Sequence, residues 1–357
     1  MTPVELSRTV LRAVRRAVDE GELSVSVPER VVVTVPGGGG CGDYATNVAL
    51  QLARPAGQPS LRVAEILRPY LAGADGVADV VVTGPGFLNI SLGGSAPAGL
   101  VEEILRDGPR YGYAPSAPSP SAESRDAGEL VELSCPGEVR AVVVMDTVAR
   151  ILRSQGAAVR TRCEGEIVPQ WADILGVRVD ERSGQEQAAF SRYAVRPVPA
   201  PADPLPLGRD AARWALLHPA GHDRPRITDE HLVQRESNPL FLVRYAHART
   251  RALSRNAADL GFTAEPGVVA GTRELDIVLA DHPRVLARAA AHRAPDRLAR
   301  HLVTVADAVL ALLPAVLPLG AEKPAAAHRA RLALAAAAGT VLAGGLSLLG
   351  IDAPDHL

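Results

Sequence analysis

The sequence predicts a multidomain α+β protein with a small N-terminal α+β domain, a reduced α/β segment and a C-terminal all-α helical bundle. Three observations carry that expectation. Strand-like and helix-like segments alternate over 1–112. A polar, Pro-rich stretch, Pro115 to Gly128, then interrupts the chain and has too little apolar content to bury a core. From 208 to 357 only helical patterns remain, rich in Ala and Leu. With 357 residues, 47% of them hydrophobic and only 3% aromatic, the cores must be assembled from aliphatic side chains.

Taken in order, Thr2 can cap a helix that has Pro3 in its first turn and Val4, Leu11, Val14 and Val18 on one face. Arg30 to Val35 reads as a strand and Gly37 to Gly40 as a loop. A helix is expected from Tyr44 to Ala53 with Asp43 as its cap, and another over Leu61 to Leu71. Val77 to Thr83 and Phe87 to Leu92 read as strands joined by the tight turn Gly84-Pro85-Gly86, and Pro97 to Leu105 as helix. Beyond a linker at 113–128, Glu129 to Leu133, Val142 to Ser154 and Ala158 to Arg162 form a strand-helix-strand unit, the minimum of a parallel sheet. The pattern from Ile167 to Leu207 assigns no element. Helices follow at Arg209 to Leu217, His231 to Leu260, Val285 to Ala294, Asp296 to Leu312 and Ala325 to Leu349. The domain expectation is therefore 1–112, a linker at 113–128, then 129–207 and 208–357.

Charge and cysteine usage narrow the function classes. The formal net charge of -2 excludes a protein that is basic throughout, so any nucleic-acid site must be regional. Cys41, Cys135 and Cys163 lie far apart without a C-x-x-C pair, which suggests neither a disulfide framework nor a zinc site and fits a reducing cytoplasm. The first residues form a charged amphipathic segment rather than a signal peptide. Leu332 to Ile351 lacks charge and is long enough to span a membrane. Its Ala and Gly content, with Gly339, Gly344 and Gly345 inside it, favours buried helices and no membrane.

Two segments carry more information. Gly42-Asp43-Tyr44-Ala45-Thr46-Asn47 together with Val82-Thr83-Gly84-Pro85-Gly86-Phe87-Leu88-Asn89-Ile90 resembles the N-terminal additional domain of arginyl-tRNA synthetases, with both motifs in the same order and spacing. Asn238-Pro239-Leu240-Phe241-Leu242-Val243-Arg244-Tyr245-Ala246-His247-Ala248-Arg249, preceded by Asp210-Ala211-Ala212-Arg213-Trp214, resembles the start of that family's DALR-type anticodon-binding domain. The closing segment from Arg329 to Pro354 fits the same domain, although Asp355-His356-Leu357 stands where the family usually ends in a methionine placed by the anticodon.

The resemblance implies that Phe87 stacks on a base of the tRNA D-loop while the Asn89 amide pairs with its edge. Phe87, one of four phenylalanines, reads equally well as a core residue. For the anticodon arm the candidates are read from the segment itself: Arg244, Arg249, Arg251 and Arg255 fall between Asn238 and Ala258 with no acidic residue, and Tyr245 and His247 lie beside them. Offsets of seven and four put Arg244, Arg251 and Arg255 on one helix face, able to track a phosphate backbone. Charge alone favours a solvated face, and the motif is what favours RNA.

The family's catalytic centre is missing from this sequence. Its synthetases hold ATP phosphates with a His-x-Gly-His element and stabilise the transition state with a lysine-containing loop. All nine histidines here lie at His218 or beyond, and the one lysine is Lys323. Val131 to Ser134 and Asp146 to Leu152 resemble the flanks of the first motif, but Cys135 to Met145 joins them without it. Roughly 70 residues separate the Val159 strand from Asn238, too few for a full class I nucleotide-binding core, so 129–207 reads as a Rossmann-like remnant. Gly37 to Gly40 lacks the Lys-Ser/Thr of a phosphate loop, and His218 and His222 lack metal partners.

The expectation is a non-catalytic tRNA-binding protein with arginine tRNA as favoured partner, no catalytic residue, no metal and no cofactor. It could also hand tRNA to a protein partner. The alternatives are an arginine-tRNA ligase, for which ATP would be required, a transferase taking arginine from charged tRNA, and a protein-interaction scaffold.

Overall fold

Thr2 and Glu5 open the chain with a reciprocal cap: Glu5 N donates to Thr2 Oγ1 at 3.2 Å and Thr2 N to Glu5 Oε2 at 2.7 Å. Pro3 supplies the first helical residue of α1 (Pro3–Asp19), which buries Leu6, Val10, Val14 and Ala17. The computed structural model describes residues 2–34, 36, 42–93, 96–114, 130–180 and 191–357. The Gly37 to Gly40 loop, Cys41 and the linker from 115 onward lie outside the described residues. The backbone divides into two compact units, Met1–Glu102 with Pro266–Ala270, and Glu103–Glu265 with Gly271–Leu357.

In the first unit α1 is followed by β1 (Val33–Thr34), β2 (Tyr44–Thr46), α2 (Val48–Ala56), α3 (Ser60–Ala72), β3 (Val77–Thr83), β4 (Phe87–Leu92) and the start of α4 (Ala96–Asp107). The strands form an antiparallel sheet in the order β1-β2-β4-β3. Leu88 and Ile90 of β4 meet the α1 and α3 side chains Leu6, Val10, Val63 and Leu67 in one core.

The helix expected from Tyr44 is corrected here. Tyr44, Ala45 and Thr46 are a buried strand against β4, and the helix starts only after Asn47. Asp43 does not cap that helix. Its N donates to Ile90 O at 2.9 Å and its Oδ2 accepts from Leu92 N at 2.8 Å, so it closes the end of the sheet. Among the described residues of the strand expected over Arg30 to Val35, only Val33–Thr34 pairs with a neighbouring strand.

The second unit opens on the end of α4 and continues with β5 (Leu130–Cys135), α5 (Val139–Ser154), β6 (Ala158–Cys163), α6 (Pro169–Leu175) and β7 (Ser191–Ala194). Its sheet is parallel, in the order β6-β5-β7. The third strand and α6 lie where the sequence pattern assigned nothing. The helices α7 (Gly208–Leu217), α8 (Pro239–Asp259), α9 (Arg273–His292), α10 (Pro295–Leu312) and α11 (Ala326–Leu349) complete the unit.

Two helix starts differ from expectation. α8 begins at Pro239 rather than His231, because Asn238 is spent on ending the preceding loop. Its Oδ1 accepts from Leu240 N at 3.1 Å, while its Nδ2 donates to His231 O and Val233 O at 2.9 Å. α9 begins at Arg273, twelve residues before Val285, and runs through Pro283, whose ring stops neither end.

α11 is a core helix that buries Leu332, Leu334, Val341, Leu342, Leu346 and Leu349. Its glycines do not break it. A Cβ on Gly339 would collide with Thr250 Oγ1 of α8, and one on Gly345 with Leu302 of α10. Small residues there let three helices approach closely.

Candidate nucleic-acid interface

Alternation along β4 sends Leu88 and Ile90 into the core and Phe87 and Asn89 to the opposite face of the sheet. Phe87 is 39% exposed and Val81 37%, so that face carries an accessible ring beside an aliphatic side chain. The turn before Phe87 is fixed by close approach. Gly86 has φ 124°, and a Cβ there would lie 2.9 Å from Ser60 O. The Ser60 hydroxyl donates to Pro85 O and docks the turn on the start of α3.

Phe87 is therefore available for stacking and is no core residue. Asn89 is placed differently. It is 3% exposed on the central strand, and its Nδ2 donates to Thr83 Oγ1 at 2.5 Å. That amide donor, assigned by resemblance to a base edge, is already used inside the sheet.

On α8 the six candidate residues separate into groups. Arg244 is half-buried, with its Nη2 3.5 Å from Asp210 Oδ2 and a buried Nε that has no hydrogen bond. Such an unsatisfied donor is available to an acceptor that reaches it. Arg244 lines a cavity of about 320 Å³ with Arg209, Asp210, His231, Asn238 and Phe241. Tyr245 is half-buried and stacks on Phe241, ring centroids 5.6 Å apart. Arg249 is exposed and, among the described residues, has no ion-pair partner.

Arg251 and Arg255 are exposed but engaged by the chain itself. Arg251 Nε donates to Asp355 Oδ1 at 3.0 Å, and Arg255 Nη2 to Asp355 O at 3.2 Å. His247 is buried rather than at the surface: it is 4% exposed, with Nδ1 bonded to Pro354 O at 3.1 Å. Burial is the main reason its pKa falls below the ordinary imidazole value, so it is held neutral.

Sequence reasoning missed how the middle of the chain is closed. In an open α/β sheet the crevice beyond the strand ends receives ligands, and a helix N-terminus there attracts phosphate. The three residues Pro136-Gly137-Glu138 carry β5 into α5, and the Glu138 carboxylate already occupies that helix end. It accepts from Arg140 N at 3.1 Å and Ala141 N at 2.9 Å, and from Ala200 N at 3.2 Å.

Arg140, fully buried in the first turn of α5, donates to five carbonyls, those of Val198, Leu216, Pro219, Ala220 and Asp223, at 2.6–3.2 Å. Arg213 of α7, also fully buried, ties Asp146 Oδ2 at 2.8 Å to Leu175 O and Leu349 O. A glutamate immediately before an apolar run was the available signal for the cap. An arginine inside Val139 to Met145 gave no sign of its carbonyl partners.

Cys135 and Cys163 face each other across β5 and β6, a proximity their separation in sequence conceals. Burial, reinforced by Cys163, pushes the Cys135 thiol up to about 12, which keeps it protonated. Among the described residues no group of three His, Cys, Asp or Glu side chains could hold a metal ion. His218 is instead stacked on Trp214 at 5.1 Å.

Comparison with known proteins places both segments. Residues 5–92 match the family described as arginyl tRNA synthetase N terminal domain, and residues 243–357 match the DALR anticodon binding domain. An arginine–tRNA ligase of Frankia alni is 27% identical in an alignment of 553 positions covering all of both chains. This chain fills 357 of those positions, leaving 196, the difference, without a residue. A second arginine–tRNA ligase, from Kineococcus radiotolerans, is 33% identical over 205 residues, 54% of this chain and 36% of that protein.

Among solved structures, arginyl-tRNA synthetase of Thermus thermophilus superposes with TM-score 0.65 at 15% identity, covering 100% of both chains. That of Plasmodium falciparum gives 0.68 at 9% identity, covering 99% of both. With the two terminal domains matched in order and the fold shared along the chain, this protein belongs to the arginyl-tRNA synthetase family, as a shorter member than the ligases it aligns with.

Proposed function

We propose that this protein binds tRNA without activating an amino acid, holding the D-loop with the first unit and the anticodon arm with α8, and preferring arginine tRNA. The observation that carries this reading is the contrast between its ends and its middle. Phe87 is exposed for base stacking, and Arg244 keeps an unsatisfied buried donor beside a cavity. In the middle, the helix end that could take a nucleotide phosphate holds the Glu138 carboxylate instead. An incoming phosphate would meet like charge there.

A purified arginine tRNA and a set of other tRNAs, titrated over a salt series, test the binding half. Tighter binding of arginine tRNA, weakened by joint replacement of Arg244, Arg251 and Arg255, is expected. Equal affinity for all tRNAs with no effect of the replacements would sink it. The second reading is an arginine–tRNA ligase, favoured by one observation: the curated relatives it aligns with bear that name. Arginine- and tRNA-dependent pyrophosphate exchange discriminates the two, and clear exchange would overturn the non-catalytic half.

A further inference from the structure

Three side chains of α8 spaced four residues apart, His247, Arg251 and Arg255, lie on one helix face and hold three successive residues of the last segment. His247 Nδ1 bonds Pro354 O at 3.1 Å, and Arg251 Nε donates to Asp355 Oδ1 at 3.0 Å. Arg255 Nη2 donates to Asp355 O at 3.2 Å and lies 3.3 Å from His356 Nδ1. The segment thus runs along the helix, with the Asp355 carboxylate and the carbonyls of Pro354 and Asp355 as the acceptors.

We propose that Pro354-Asp355-His356 is an internal competitor for RNA, a latch whose Asp355 carboxylate occupies the guanidinium that a tRNA phosphate must take over. The proposal rests on the tRNA-binding reading above and adds its regulation. Carboxylate and phosphate are both oxyanions that accept from a guanidinium, so Asp355, bound at Arg251 Nε, competes with a phosphate for that edge and offsets the charge that would attract it. Both partners of the Arg251–Asp355 pair are about half exposed, so solvent screens it and the latch is readily displaced. It therefore tunes affinity and raises the threshold for weak, non-cognate RNA, rather than blocking binding outright. Asp355 itself titrates below the ordinary carboxylate range, chiefly because Arg251 donates to it.

The test is a double-mutant cycle on the full chain with purified arginine tRNA: wild type, Asp355→Asn, Arg251→Gln and the double variant. Asp355→Asn is expected to tighten binding about two- to fivefold, the range of an exposed ion pair. In the Arg251→Gln background the same change should yield little gain. An equal gain in both backgrounds would mean a general charge effect and overturn the latch. No binding by any of the four proteins would overturn the tRNA reading, and the competition with it. The Asp355 carboxyl titration, followed by NMR on Asp-labelled protein without RNA, tells these failures apart. A depressed value that returns to the ordinary range in Arg251→Gln supports the contact, and an ordinary value in wild type removes it.

Discussion

Replacing Arg140 by Met tests whether the closed middle of the chain is held as described. The guanidinium is fully buried and serves five carbonyl oxygens on three segments, so the substitution strands several acceptors at once while keeping an unbranched apolar stem. A hydrogen bond to a charged group contributes about 1.5–3 kcal/mol net, but five in one network do not add. Removing the charge also recovers part of its desolvation cost, leaving an expected loss of about 3–5 kcal/mol. At about 2–4 °C per kcal/mol for a unit of this size, the midpoint should fall by about 6–20 °C.

Trp171 and Trp214 are the two tryptophans of the chain and both lie in the second unit, so their fluorescence during urea unfolding reports that unit alone. Arg140→Lys, with one compact ammonium in place of a fork, should fall between wild type and Arg140→Met. A loss below about 1 kcal/mol with an unchanged denaturant slope would refute the reasoning, because the carbonyls would then be satisfied without the guanidinium.

Other expectations follow from single contacts. Phe87→Ala should weaken tRNA binding by about 1–3 kcal/mol, the worth of one stacked base, with little change in stability, whereas Asn89→Ala should reverse that order because its amide serves Thr83; filter binding and thermal melting on both variants distinguish them. His282 and His301 stack at 5.2 Å in the second unit, and burial lowers both, His301 to about 4. Their native forms are neutral, so the unfolded chain takes up protons first. Stability is fully present above about 6.5 and is lost as pH falls towards 4, by on the order of 3 kcal/mol from His301 alone. Urea midpoints measured across that range should show the decline, flattened in His301→Gln. Gly345→Ala should cost about 1–3 kcal/mol by driving a methyl group into Leu302, visible as a lower melting temperature.

What could be read in the sequence follows the range of the interactions involved. The hairpin Val77–Thr83 and Phe87–Leu92 was legible because alternation and a Gly-Pro-Gly turn are local, and α1 because its cap and proline are adjacent. Tyr44 to Thr46 resembled a helix start, since nothing local shows that β4 lies beside it, forty residues on. Pro283 concealed the first half of α9, where packing overrides the breaker. At the candidate site the residue types were legible but not their partners. Phe87 and Asn89 share a face by alternation, yet the exposure of one and the engagement of the other depend on Thr83 and the strands alongside. The arginine stripe was visible as a period of four and seven, while the occupation of Arg251 and Arg255 depends on Asp355, a hundred residues away.

A hydroxyl-radical footprint of this protein on arginine tRNA tests the central claim most directly. Protection of the D-loop and of the anticodon arm on the same RNA is expected, the first lost in Phe87→Ala and the second when Arg244, Arg251 and Arg255 are replaced together. Protection at neither site, or protection indifferent to those substitutions, would contradict the account.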